Sequence, residues 1–287
     1  MHIAEYDKMN KLRLCAFADE ASEYLKGQIE ALKRNKISLI EIRTIDKENV
    51  ADISEEKAYD VKKQLDEAGI KVWSVGSPIG KVDIDKDFSE EKNRFARLLK
   101  TASILGAENI RLFSFYKTSK EDKDEVISRL RTFVEMAKPY GIDLCHENEK
   151  GIFGDTIENC KIIHNSISEL KMVFDPANFV QCNQVAYTAW DTLNGFVKYC
   201  HVKDALTDGR NVAAGEGNGN IPYMLRSYAE FGDVITLEPH LFDFYALSSL
   251  ELEKSEKKTR FKDANEAFDF DVKCVRKILR ELGVEER

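Results

Sequence analysis

The chain has 287 residues, 43% of them apolar and 33% charged, with a formal net charge of −8. That balance predicts a folded, soluble chain with ample core and excludes a disordered one. The acidity, with no basic stripe, argues against a nucleic-acid partner, and no run approaches the ~20 apolar residues of a membrane span.

Along the chain, short β-rich runs alternate with longer amphipathic segments. Strands are predicted over 12–17, 38–43, 70–76, 108–115, 141–147, 171–175, 197–203 and 233–238. Between them lie helical patterns, among them Tyr24, Leu25, Ile29 and Leu32; then Phe95, Leu98, Leu99 and Ala102; then Val126, Leu130, Phe133 and Val134. A last one, Val272, Val275, Ile278 and Leu279, follows the eighth strand. Gly69, Gly106 and Gly141 follow helical runs, where a C-terminal cap needs positive φ. Eight strands alternating with helices predict one α/β domain over 1–287, a (β/α)8 TIM barrel with parallel strands. Residues 1–11 read as an N-terminal extension and 239–262 as a long loop or lid after the eighth strand. The six cysteines are scattered, with no C-x-x-C pair, and predict buried free thiols in a reducing compartment. With no signal-peptide pattern at the N-terminus, the expected location is cytoplasmic.

Four predicted strands end in a group able to bind metal: Glu147, Asp175, His201 and Glu238. They lie 28, 26 and 37 positions apart, each about one βα repeat, so a barrel would bring them to one rim. Strand parity puts Glu147 on the face of Asp143 and Cys145, and His201 on that of Tyr199 and Lys203. Taken singly, a strand-end carboxylate is a helix cap or a surface charge, and a lone histidine a hydrogen-bonded core residue. Together, three oxygen donors and one imidazole suit a hard-to-borderline divalent cation; the structural alternative is a charged rim tied up in ion pairs.

The runs Leu144-Cys145-His146-Glu147-Asn148-Glu149-Lys150-Gly151, Phe174-Asp175-Pro176-Ala177-Asn178, His201-Val202-Lys203-Asp204-Ala205, Gly215-Glu216-Gly217 and Leu237-Glu238-Pro239-His240 resemble those of the sugar phosphate isomerase/epimerase family, of the xylose-isomerase-like barrels. Phe17-Ala18-Asp19-Glu20, Glu41-Ile42-Arg43 and Ser77-Pro78-Ile79-Gly80-Lys81 resemble it as well, so the likeness spans nearly the whole chain. The resemblance implies Glu147, Asp175, His201 and Glu238 as ligands of one divalent ion, Mn or Zn by preference, with Mg or Co as alternatives. Many relatives carry a histidine three residues after the ligand aspartate, where this chain has Asn178. The endonuclease branch resembles it less, since a multi-metal site needs more histidines than the five present.

The expected activity is therefore a metal-dependent isomerase or epimerase of a small sugar, sugar phosphate or keto-polyol. Proton transfer would run through a metal-stabilised enediolate, with Glu147 and Glu238 as the catalytic pair. A keto-polyol (inosose-type) dehydratase on the same metal is the alternative within enzymes, and a non-catalytic sugar-binding barrel the alternative outside them. Asn178, Lys203, His240, Glu216, Lys81 and Arg111 are candidates for holding substrate. Lys203 alternatively pairs with Asp204, and Glu216 with an arginine at the rim. Trp73 and the Phe113–Tyr116 run are candidates for an apolar wall, or else core, and His146 for packing behind the site. The partner is a small carbohydrate, with neither nucleic acid nor membrane; a homo-oligomer stays open.

Overall fold

Runs rich in Leu, Ile and Val pair most readily when both faces are covered, and here every strand is covered on both. The computed structural model describes residues 10–242 and 260–287. Its barrel strands are β1 (Lys11–Ala16), β2 (Leu39–Ile42), β3 (Lys71–Gly76), β4 (Asn109–Leu112), β5 (Asp143–Glu147), β6 (Lys171–Phe174), β7 (Val197–Val202) and β8 (Val234–Leu237). Each pairs in parallel with the next, and β8 returns to β1, from Arg13 opposite Val234 to Ala16 opposite Leu237. The sheet is thus closed, a single (β/α)8 TIM barrel.

The intervening helices are α1 (Leu25–Arg34), α2 (Glu55–Glu67), α3 (Phe88–Leu105), α4 (Lys123–Ala137), α5 (Ile157–Ser166), α6 (Pro176–Gln181), α7 (Ala186–Leu193), α8 (Ile221–Tyr228) and α9 (Ala264–Leu282). Their apolar stripes, such as Phe95, Leu98, Leu99 and Ala102 on α3, are buried in one continuous layer with the outward strand residues. Gly106 ends α3 at φ 70°, the left-handed cap expected from sequence. Glu285 and Glu286 form a short parallel pair with the start of β1, tying the end of α9 to the barrel floor.

Inside the barrel a second cluster fills the lumen: Cys15, Leu39, Trp73, Cys145, Val173, Tyr199 and Val234. Trp73 therefore belongs to the lumen core and forms no wall of the site. Between Ile40 and Glu41 the β2–β3 register shifts, so that Ile40 faces Val72 and Glu41 faces Ser74. Trp73 is the extra residue of this bulge, which lets both Trp73 and Ser74 contribute to the lumen.

Strand β4 stops at Leu112, short of the predicted 115. Beyond it the backbone turns to bond the loop after β3, with Phe113 N–H donating to Ile79 O (2.8 Å) and Phe115 N–H to Gly80 O (2.9 Å). Gly80 makes this possible: at φ 82°, a Cβ there would stand 2.1 Å from the Phe113 carbonyl oxygen. The predicted extension falls mostly, and the predicted lid largely, on residues 1–9 and 243–259, outside the described residues. Among the described residues the six cysteines are free thiols, and no helix is long and apolar enough to cross a membrane.

Candidate metal centre

Strand direction brings the chemistry to one rim. Glu147 is the last residue of β5, His201 lies near the end of β7, and Asp175 and Glu238 follow β6 and β8. One ligand atom from each of these four buried residues lies within 4.8 Å of the others. His201 Nδ1 is 3.1 Å from Glu147 Oε1 and 3.0 Å from Glu238 Oε2, while its Nε2 is 3.2 Å from Glu41 Oε2. If Nε2 carries the proton and donates it to Glu41, the Nδ1 lone pair faces two carboxylates, an arrangement that needs a cation between them. Glu41 is anchored in turn, accepting from Tyr199 Oη at 2.8 Å, and Tyr199 meets Ser74 Oγ at 2.9 Å.

Asp175 does two jobs at once. Its Oδ1 accepts the Asn178 N–H at 2.9 Å and caps α6, whose first residue is Pro176; its Oδ2 is left facing the cluster. The cap and the candidate ligand are therefore two oxygens of one group. Glu147 Oε2, Asp175 Oδ2 and Glu238 Oε2 are all buried and accept no hydrogen bond. Three such oxygens around one imidazole nitrogen are a donor set that suits a divalent cation.

Each carboxylate also has a cationic neighbour. Arg111 Nη1 lies 3.0 Å from Glu147 Oε2, Lys203 Nζ 2.9 Å from Asp175 Oδ2, and Arg43 Nη1 3.0 Å from Glu238 Oε1. Burial pushes the Glu147 carboxyl up, but His201 and Arg111 outweigh it and hold it below the ordinary value. Glu238 is likewise raised by burial and brought well below by Lys203 and His201. For Asp175 burial prevails over Lys203, and its carboxyl is pushed up to about 6. Burial lowers His201, yet Glu147, Glu41 and Glu238 together raise it well above the ordinary value.

Over this cluster opens a cavity of about 420 Å³, lined by Arg43, Arg111, Glu147, Lys203, Glu238 and His240 and also by Lys81, Glu149, Ser77 and Phe113. That volume suits a small ligand of a few carbons. Asn178, where many relatives have histidine, points its amide inward: Nδ2 donates to Glu147 Oε1 (3.2 Å) and Asn148 O (2.9 Å), and Oδ1 accepts from Lys150. His240 sits at φ 47°, with Nε2 3.3 Å from Glu238 Oε1 and 3.5 Å from Glu20 Oε1.

For two candidates the sequence left more than one reading open, and the structure gives each its partner. Lys203 pairs with Asp175 and not with Asp204, whose carboxylate instead accepts the N–H groups of Gly215, Gly217 and Gly219. That fold-back carries Glu216 away from the cavity wall to an exposed pair with Arg260 at 2.7 and 2.8 Å. His146 faces outward, hydrogen-bonded to Ser114 Oγ at 3.0 Å and packed against His164.

Sequence reasoning passed over Arg43, Glu41 and Asp19 as site residues. Arg43 is buried and grips Asp19 through Nε (2.9 Å) and Nη2 (3.0 Å) while reaching Glu238. Glu41 and Arg43, two apart at the end of β2, follow the same inward parity that singled out Glu147. That signal was present in the sequence and would have found both.

The family model of the xylose isomerase-like TIM barrel matches residues 29–283. Among solved structures, the probable 3-DHS dehydratase AsbF from Bacillus anthracis superposes with a TM-score of 0.72 at 14% identity, covering 93% of this chain and 98% of that one. The IOLI protein with a binding zinc atom gives 0.69 at 19% identity, over 94% and 99% of the two chains. A D-allulose 3-epimerase from Methylomonas sp. in complex with D-allulose gives 0.72 at 14%, over 93% and 97%. At these identities the likeness shows the fold alone. A comparison with curated proteins finds no match.

Proposed function

The chain belongs to the xylose isomerase-like TIM barrel family, and on that premise we propose that it is a divalent-metal-dependent isomerase or epimerase of a small carbohydrate. The observation carrying this is the convergence of Glu147, Asp175, His201 and Glu238 within 4.8 Å, with three carboxylate oxygens accepting no hydrogen bond. In this reading those four residues hold the ion, and the structural likeness to the IOLI protein with a binding zinc atom supports it. When bound, the ion polarises a substrate carbonyl and neighbouring hydroxyl, so that charge developing on their oxygens is stabilised.

The chain's own residues do the rest. Glu147, at the end of β5, and Glu238, after β8, both approach His201 Nδ1, at 3.1 and 3.0 Å. A carbon bound between them can lose a proton to one and regain it from the other. Arg111 and Arg43 grip the two carboxylates from outside, fixing their orientation. Return of the proton to the opposite face of the same carbon gives epimerisation; return to the adjacent carbon gives isomerisation. Lys203, buried between Asp175 and Glu238, is placed to donate to a substrate oxygen.

Elemental analysis of the purified chain, beside Glu147→Gln and His201→Ala, is the first test: about one divalent ion per wild-type chain is expected and much less in both variants. A wild type that binds none sinks the reading. Solvent-deuterium incorporation into a ketose panel is the second, with label and no loss of water expected from wild type and none from Glu147→Gln. A dehydrated product would favour the lyase reading instead, which the likeness to a dehydratase keeps in view.

A further inference from the structure

Apart from the metal centre, we propose a second binding site, for a neutral pyranose ring, in the cavity between the turn from α6 to α7 and the loop after β7. This cavity measures about 360 Å³ and shares no lining residue with the one over the metal centre. Although 33% of the chain is charged, none of the described residues that line it is. Carboxamides dominate the wall, from Asn183, Gln184, Asn218 and Asn220, joined by the Thr207 hydroxyl and by Tyr187. Charged groups nearby in sequence are engaged elsewhere: Asp208 with Arg210 at 2.7 Å, Glu216 with Arg260 at 2.7 Å, and Asp191 with Tyr223 Oη at 2.8 Å.

Backbone hydrogen bonds fix these amides in place. Asn183 N–H donates to Val180 O at 3.0 Å, Gln184 N–H to Phe179 O at 2.8 Å and Asn218 N–H to Ala205 O at 2.8 Å, while Asn220 O accepts from Tyr223 N–H at 3.0 Å. Among the described residues, no protein group hydrogen-bonds the side-chain amides of Asn183, Asn218 and Asn220. Each carboxamide both donates and accepts, as a sugar hydroxyl does, whereas an ion would meet no counter-charge on this wall. Apolar surface stands beside them. Val185 and Tyr187 are 63% and 44% exposed, and the Tyr223 ring packs 4.6 Å from that of Tyr187, so three of the seven large apolar side chains exposed among the described residues gather here. An exposed aromatic ring next to hydrogen-bonding groups in a concave site suits the C–H face of a pyranose. Four carboxamides match the several hydroxyls of such a ring better than the few polar atoms of a nucleobase.

Saturation-transfer NMR on the full chain tests this with the methyl glycosides of α-D-glucopyranose, β-D-galactopyranose and α-D-mannopyranose, neutral rings that cannot open to a carbonyl. At least one is expected to receive transfer on its ring protons. Tyr187→Ala should weaken its binding about three- to tenfold. Asn218→Ala should weaken it as well, and so should Asn183→Gly, since glycine accepts the φ of 57° found there. Tyr187→Phe and Glu147→Gln should bind as wild type does, the first because it keeps the ring, the second because it lies in the other cavity. Transfer to none of the glycosides, affinity unchanged in Tyr187→Ala, loss of binding in Glu147→Gln, or tighter binding of adenosine than of every glycoside overturns the proposal. Each of these outcomes leaves the metal reading standing, since that reading turns on uptake of a divalent ion.

Discussion

Glu41 shows how a residue outside the candidate ligand set decides the state of one within it. It stands 3.2 Å from His201 Nε2, accepts from Tyr199 and lies wholly within the lumen. A carboxylate there fixes which imidazole nitrogen carries the proton, hence which lone pair faces Glu147 and Glu238. Glu41→Ala is expected to weaken Mn²⁺ binding by roughly 10- to 100-fold while Tyr199 and Ser74 still pair; competition against a fluorescent chelator reads this directly. Asn178 acts at the same scale on the other side. Its one amide joins Glu147, the Asn148 carbonyl and Lys150, so it stiffens a candidate ligand by hydrogen bonds that a histidine at this position would distribute differently.

At the scale of elements, one side chain gathers much of the loop after β7. Asp204 accepts from Gly215, Gly217 and Gly219, and a Cβ on Gly217 would meet its Oδ1 at 2.4 Å. The glycines are needed for this close approach of backbone to carboxylate. Asp204→Ala strands four backbone donors, the Ala205 N–H among them, and is expected to lower unfolding stability by about 2–4 kcal/mol. Denaturant unfolding measures the loss, and protease sensitivity within 205–219 should rise with it.

The C-terminal helix presents a second element-scale test. Asp271 on α9 is buried, accepts the Ala214 N–H at 2.9 Å with Oδ1, and leaves Oδ2 without a hydrogen bond. Burial pushes its carboxyl up to about 7, against 3.8 ordinarily. The folded state therefore favours the protonated form. The stabilisation is full below about pH 4 and is lost as pH rises to about 7, a swing of roughly 4 kcal/mol. Asp271→Asn should remove this component: unfolding free energies at pH 5 and pH 8 should differ less in the variant than in wild type. An unchanged difference would count against the assignment.

For the whole molecule, the barrel mouth concentrates charge that the remainder of the fold must tolerate. The candidate ligands are spread over four strands, so an ion that binds only when all four are assembled should stabilise the barrel as a unit. At an ion concentration about 100 times the dissociation constant, the gain is about 2.7 kcal/mol. Thermal melts with excess Mn²⁺ and with chelator should differ by a few degrees, and His201→Ala should abolish the difference.

Much of this architecture was written in the chain. Eight runs with strand character, separated by helical stripes, lead to a closed barrel because an open sheet would leave two edges unpaired. The place of Glu147, Asp175, His201 and Glu238 at strand ends was legible for the same reason: parity and spacing are local properties, and the barrel converts them into convergence. What only the tertiary structure decided is which charge meets which. Lys203 was free, on sequence, to pair with its neighbour Asp204, but Asp204 is drawn to the glycine loop and Lys203 turns to Asp175, 28 residues away. Glu216 leaves the cavity with that loop, and Arg43 reaches past β1 to Glu238, 195 residues on. Such pairings depend on Coulomb contact between groups remote in sequence, so no local pattern encodes them.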